Sequence, residues 1–356
     1  MSRAESSRIE GAPGAGAAAV TAAGPGHYRL DSNARAFLKY VGGMAAALAP
    51  LAIAYGDYYW LNILTYTYLF AGLAASWNII GGFGGQFSLG HGVFFAIGAY
   101  FTAIFYADHG ISPWLTILPA ALVSAAVASL ISWPTFRLKG PFFAIATMAF
   151  NEVAMVFANY FSGVTGGPRG ILIPFKAGFT NMIFAERWKY AVLMFAYAAL
   201  VVGLSVVIRR NRLGYYLLAV REDEDAARAA GINTTAVKIQ GMAISASLTA
   251  IGGGLFAMFL RFVDPPSLFT LPEIGVKFAL VALIGGLGTI SGPVLGAFLF
   301  IPVENYLRGS LGGLWPGAHL IVLSIILVLA ALFLKRGIVG AVGRLYSRLS
   351  RERRNR

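Results

Sequence analysis

Cysteine is absent from the 356 residues, which excludes disulfides, thiolate metal sites and cysteine nucleophiles. Histidine is scarce, and His27, His91, His109 and His319 lie too far apart in sequence to suggest a metal cluster. Charged residues make up 12% of the chain against 58% hydrophobic ones, whereas an ordinary soluble domain carries about 25% charged residues. Of the fifteen acids, only Glu152 falls near the centre of an apolar stretch, and Glu304 lies near the end of another. No His, Cys or carboxylate pair therefore suggests a catalytic site. A Gly-x4-Gly-Lys-Ser/Thr phosphate loop is also missing, so any ATP would have to be bound by another chain. The net charge of +13 would suit a nucleic-acid partner, but most of the Lys and Arg sit in loops and tails beside apolar runs.

What the chain has in abundance is apolar length. Mean hydropathy is +0.70, and a run of roughly 20 apolar residues at about 1.5 Å per residue crosses a hydrocarbon core of about 30 Å. Ten such spans are expected, at 37–54, 58–80, 87–107, 114–133, 141–160, 190–208, 239–262, 275–287, 292–307 and 316–334. The two short ones between Gly275 and Leu307 could instead form one re-entrant hairpin. The reading is an all-α polytopic membrane protein. Residues 1–36, rich in Ala, Gly and Ser, read as a disordered cytoplasmic tail without the features of a secretory signal. Residues 37–335 form the transmembrane domain, with a loop at 209–238, and 336–356 form a basic cytoplasmic tail suited to anionic headgroups. With the N-terminus inside, 21 Lys and Arg fall in the inside segments and 5 in the outside ones. The positive-inside bias thus places both termini in the cytoplasm.

Five of the ten residues from Gly81 to Gly90 are glycine, although apolar sequence surrounds them. "IGGFGGQFSLG" from Ile80 has an echo in "IGGLGTISGPVLG" from Ile284, a weak internal repeat. Glycine in a helix interior costs roughly 1 kcal/mol relative to alanine. A backbone broken inside a membrane is tolerated only where protein or a water-filled cavity meets its polar groups. Glycine breaks at matching positions of two halves therefore point to a translocation path. The expected path residues are Gly82, Gly84, Gly85, Gln86, Ser88, His91, Gly285, Gly286 and Ser291, with Glu152 added because a carboxylate inside a span is costly. The bland alternative is close helix packing through small residues.

The loop at 209–238 holds the densest mixture of charge. "REDEDAARAAG" reads as one short helix with Glu222, Asp223, Glu224 and Asp225 in its first turn, at the positive end of the dipole, and Gly231 just past its end. Asp225, Ala226 and Ala227, followed by three residues and Gly231, resemble the Glu-Ala-Ala-x-x-x-Gly loop by which ABC-importer membrane subunits dock on their ATPases. Together with "TGGPRGI" (165–171), "NIIGGFGGQFSLGHGVFFAIGAY" (78–100) and "GINTTAVKIQGMAISASLTAIGGGLFA" (231–257), the chain from 58 to 335 is similar to the permeases of branched-chain amino acid importers, of the LivM type. Asp stands for the first Glu of the docking motif, and the Ile-x-Leu-Pro that often follows is missing, so contacts beyond Gly231 are not carried over.

The resemblance implies a non-enzymatic half of a pore in the bacterial inner membrane, with no cofactor of its own. Its implied partners are a second, LivH-type permease, two ATP-binding subunits and a periplasmic substrate-binding protein. ATP hydrolysis in those subunits would move the helix around 222–230, which levers the glycine breaks, and Ala227→Arg is expected to uncouple transport. A permease for urea or short amides is the alternative within the class, separated by competition between leucine and urea. An ion-coupled transporter or channel is the alternative outside it, separated by uptake that follows an ion gradient without ATP.

Overall fold

Proline and glycine set where the helices begin and end in the computed structural model, which describes residues 42–311 except Met44, Ile53 and Lys139, and residues 321, 324–325 and 337–340. Helix α1 (Tyr58–Asn78) starts at Asp57, whose carboxylate accepts from the Tyr59 and Trp60 amides, and it runs into a π-helical turn at Ile79–Phe83. Helix α2 (His91–His109) stops at Gly110, which is left-handed at φ 67°. Helices α3 (Pro113–Thr135) and α4 (Pro141–Tyr160) both open on proline, where a missing amide costs nothing. A short helix α5 (Ser162–Thr165), one 3-10 turn and strand β1 (Ile171–Leu172) follow. Then come α6 (Arg187–Arg210), α7 (Arg212–Glu222), α8 (Glu224–Ala229) and α9 (Thr234–Leu260). Strand β2 (Phe262–Val263) pairs antiparallel with β1, matching Ile171 to Val263. Helix α10 (Pro265–Phe269) leads into a second π-helical turn at Leu271–Gly275, then α11 (Val276–Gly285) and α12 (Gly292–Leu311).

In the body that begins at Leu48, α1 and α9 are the central helices: α9 packs on α2 and α3, and α1 packs on α6 and α12. The α2–α9 contact is backbone against backbone. A side chain at Gly98 would collide with the Ala250 carbonyl, and one at Gly253 with the Phe95 carbonyl, which is the close approach that small residues permit in membrane helices. Around it, Phe95 meets Phe256 and Phe278 at ring-centroid distances of 5.2 and 5.9 Å. Helix α4 is the opposite case, with 22% of its apolar window buried against 94% for α1.

The structure revises the expected spans. Among the described residues, five helices are long and apolar enough to cross a membrane: α1 with its π turn, α3, α4, α6 and α9. Helices α2 and α12 cover two further expected spans, but α2 begins at His91, because Gly84 to Gly90 lie outside any helix. Helix α11 has ten residues, about 15 Å of rise, half of what a bilayer core requires. It continues the π-helical turn at Leu271–Gly275, so the segment expected at 275–287 is the latter part of a helical stretch shorter than a full span, while α12 has 20 residues. Of the expected span at 37–54, residues 42–43 and 45–52 are helical, while the expected span at 316–334 and both expected tails lie wholly or mostly outside the described residues.

Candidate functional site

The two glycine-rich segments, some two hundred residues apart in sequence, meet in space. Asn78, at the end of α1, is 1% exposed. Its side chain donates to the Thr289 carbonyl at 2.9 Å and accepts from the Gly288 amide at 2.9 Å. The turn between α11 and α12 is closed further by Thr289, whose hydroxyl donates to the Gly286 carbonyl at 2.7 Å and accepts from the Gly292 amide at 3.0 Å. Gly286 and Gly288 adopt φ of 132° and 71°, which side-chain-bearing residues rarely tolerate. Polar groups of the second break are thus met by protein, through the Asn78 and Thr289 side chains.

Arginines from the loop region reach the same place. Arg221, near the end of α7, donates to the Gly82 carbonyl at 2.7 Å, and Arg209, near the end of α6, donates to the Gly288 carbonyl. Leu217 packs near Gly84, and the Arg221 stem lies against Gly85. The loop corrects one expectation. Glu222 ends α7, and Asp223 takes extended backbone to cap α8, accepting from the Asp225 and Ala226 amides at 2.9 Å each. Only Glu224 and Asp225 lie in the first turn of α8, because an Asp side chain competes for backbone amides and so breaks one helix to start the next. Gly231, at φ 84°, follows the end of α8 as expected.

Helix α8 has an inner and an outer side. On the inner side, the Glu224 carboxylate accepts from Lys238 Nζ at 2.8 Å, Arg228 at 3.2 Å and Thr234 at 3.2 Å. Lys238 is 2% exposed and also lies over the Phe136 ring. Partial burial pushes the Glu224 carboxyl up, but Lys238, Thr234 and Arg228 outweigh it and hold the group below its ordinary value. Ala227 faces the same way and is buried. On the outer side Glu222, Asp223, Asp225 and Ala226 are exposed. The buried Ala227 makes the Ala227→Arg substitution a packing defect, whereas Ala226 is exposed.

Ser88 and His91 belong to a buried network. Ser245 donates to the Ser76 carbonyl at 2.7 Å, so its oxygen accepts from His91 Nε2 at 2.9 Å. A neutral ring with its proton on Nε2 then accepts from the Ser88 hydroxyl at Nδ1, 3.0 Å away. Trp77 donates to the Ser88 carbonyl at 2.7 Å. This network joins α1, α2 and α9 and fixes the segment between Gly84 and Gly90. Gln86 is half-buried, Gly82, Gly84, Gly285 and Gly286 are buried, and Gly85 and Ser291 are exposed. Glu152 stands apart on the open face of α4, where no described residue pairs with it, while its neighbour Asn151 ties α4 to the body by donating to the Phe269 carbonyl at 2.7 Å. The sequence reading missed Asn78, Arg209, Arg221 and Thr289. Asn78 and Thr289 had only the signal of a polar residue near a glycine run, and Arg209 and Arg221 had only their charge.

Long apolar helices interrupted by glycine, with a charged loop bonded to the interruptions, define a multi-pass α-helical membrane protein. A family model described as the permease component of branched-chain amino acid transport systems matches residues 59–331, and the chain belongs to that family. It is 33% identical over 271 residues to the high-affinity branched-chain amino acid transport permease protein LivM of Salmonella typhimurium, covering 70% of this chain and 63% of that protein. Identity to LivM of Escherichia coli is 32% over the same length, with the same coverage. The permease protein LivH of Salmonella typhimurium is 25% identical over 302 residues, 78% of this chain and 94% of its own. The chain therefore spans less than two thirds of the LivM relatives' length. No solved structure matches it.

Proposed function

We propose that this chain is a permease subunit of an ABC importer that carries branched-chain amino acids across the bacterial inner membrane, driven by ATP hydrolysis in separate subunits. The observation that carries the reading is the direct bonding of α6 and α7 to both glycine breaks through Arg209 and Arg221. A displacement of α8 by an ATP-binding subunit then passes through α7 to the two interruptions without an intervening flexible linker. The chain needs no cofactor of its own in this scheme. ATP is held by two partner subunits, and a periplasmic binding protein delivers substrate.

The second permease, of the LivH type, is placed against the open face of α4. Phe142, Ile145, Val153, Val156 and Phe157 are exposed there, and Glu152 stands among them. A carboxylate in mid-span is costly against lipid, so a protein or water-filled surface suits this face, and substrate passes along it. In this reading the α7–α8 loop and both termini lie in the cytoplasm, an orientation that the charge bias supports. The glycine breaks then lie at the cytoplasmic end of the bundle. The test is Ala226→Arg in the assembled importer. ATP-driven leucine uptake should be lost while the chain remains in the membrane, and uptake at the parental rate would reject the docking assignment. Leucine, and not urea, should compete for uptake.

A further inference from the structure

A ring of four charges lies at the end of the α11–α12 hairpin opposite the glycine turn. Lys277 donates to Glu273 at 3.1 Å and to Glu304 at 2.6 Å. Arg308 donates to both Glu273 oxygens at 2.9 and 3.0 Å and to Glu304 at 3.2 Å. The Lys277 and Glu304 side chains are 8% and 5% exposed, so this is a buried pair that opens outward through Glu273 and Arg308. The ring lines a cavity of about 370 Å³, at the small end of the usual range for metabolite sites. Phe256, Leu260 and Ile301 supply apolar wall, and Asn62 and Tyr66 stand at the edge.

The ring does not use all of its capacity. Every bond from Arg308 leaves through Nη2, so Nη1 and Nε have no partner among the described residues. Glu304 receives both cations on Oε1, and among the described residues none reaches Oε2. A guanidinium edge that can take a carboxylate thus stands beside a carboxylate oxygen that can take an ammonium, and apolar surface lies next to both. We infer that this cavity binds the free amino acid as a zwitterion, its carboxylate on Arg308, its ammonium on Glu304 and its side chain toward Phe256 and Ile301. A ring serving only as a staple needs the four pairs and no open polar edge. A solute of one charge sign would leave one of the two edges unanswered. The inference rests on the amino-acid reading above, and on the orientation proposed there the cavity lies toward the periplasm.

The test uses the whole importer in nanodiscs without its binding protein, probed with radiolabelled leucine at equilibrium. Saturable binding is expected. Unlabelled leucine should displace it, and neither isoamylamine, which lacks the carboxylate, nor 4-methylvalerate, which lacks the ammonium, should do so. Arg308→Gln alters a side chain that is 47% exposed, so assembly should survive while affinity falls by roughly tenfold or more; Glu304→Gln should act likewise. Displacement by either single-charge analogue overturns the assignment, as does binding that Arg308→Gln leaves unchanged or an absence of binding in the parental complex. ATP-driven leucine uptake by the same complex with its binding protein separately decides the transport reading, so a failed site and a failed function give different results.

Discussion

Removing the Asn78 side chain gives the sharpest test of how the two glycine breaks are held. In Asn78→Ala the Gly288 amide and the Thr289 carbonyl both lose their side-chain partner. Each buried backbone group left unsatisfied costs about 1–3 kcal/mol. One water entering the vacated space would recover part of that, which leaves a net of about 2–4 kcal/mol on opening of the turn. Asn78→Asp keeps an acceptor for Gly288 but sets a carboxylate oxygen against the Thr289 carbonyl, so it should cost at least as much. Hydrogen exchange reads local opening directly. At the low end of this range the amides of Gly286–Gly292 should exchange about thirtyfold faster than in the parent, since 1.4 kcal/mol is a factor of ten, while the middle of α9 should stay protected. Parental exchange rates in both variants would refute the clamp.

Other predictions follow from the same geometry. Glu224 is held below its ordinary value of 4.5, so its contribution to anchoring α8 is fully present above that pH and is lost as pH falls through the lower folded value. Protection in 224–238, corrected for the intrinsic pH dependence of exchange, should therefore fall on acidification below about pH 4.5, and in Glu224→Gln it should be reduced already at pH 7. Gly98→Val should abolish assembly of the α2–α9 pair, read as loss of monodisperse protein in detergent, because the new side chain meets the Ala250 carbonyl. The same substitution at Gly110, where nothing lies within 4 Å, meets only the cost of its left-handed backbone.

The apolar spans and the glycine interruptions were legible because both are local in sequence. Apolar length marked α1, α3, α4, α6 and α9, and the glycine runs marked where helices stop. The roles of individual polar residues were not legible. Ser88 and His91 read as path-lining because they adjoin the glycine cluster, and the sequence gives no sign that Ser245, 154 positions from His91, satisfies the imidazole. Asn78 looked like an incidental polar residue, since its partners are more than two hundred positions distant. Arg209 and Arg221 counted only toward orientation, because charge statistics carry no direction for a side chain. The break between α7 and α8 was missed for a local reason: four consecutive acids suit a first helical turn, and which one caps is decided by backbone geometry. Lys277 read as a residue at a span edge, and only the return of α12 brings Glu304 and Arg308 to it.

The proposed docking of α8, by its outer side, on an ATP-binding subunit is directly measurable because the chain has no native cysteine. Ala226→Cys, on the exposed side of α8, would be treated with a short bifunctional reagent, thiol-reactive at one end, in native membranes that contain the whole importer. Leu122→Cys, exposed on α3 at 72%, serves as the control. With a reagent whose second end reacts with lysine amines, a cross-link is expected from position 226 to an ATP-binding subunit, with a yield that changes with nucleotide, and none from position 122. Labelling at 226 without any cross-link, in membranes that still import leucine on ATP, would contradict it.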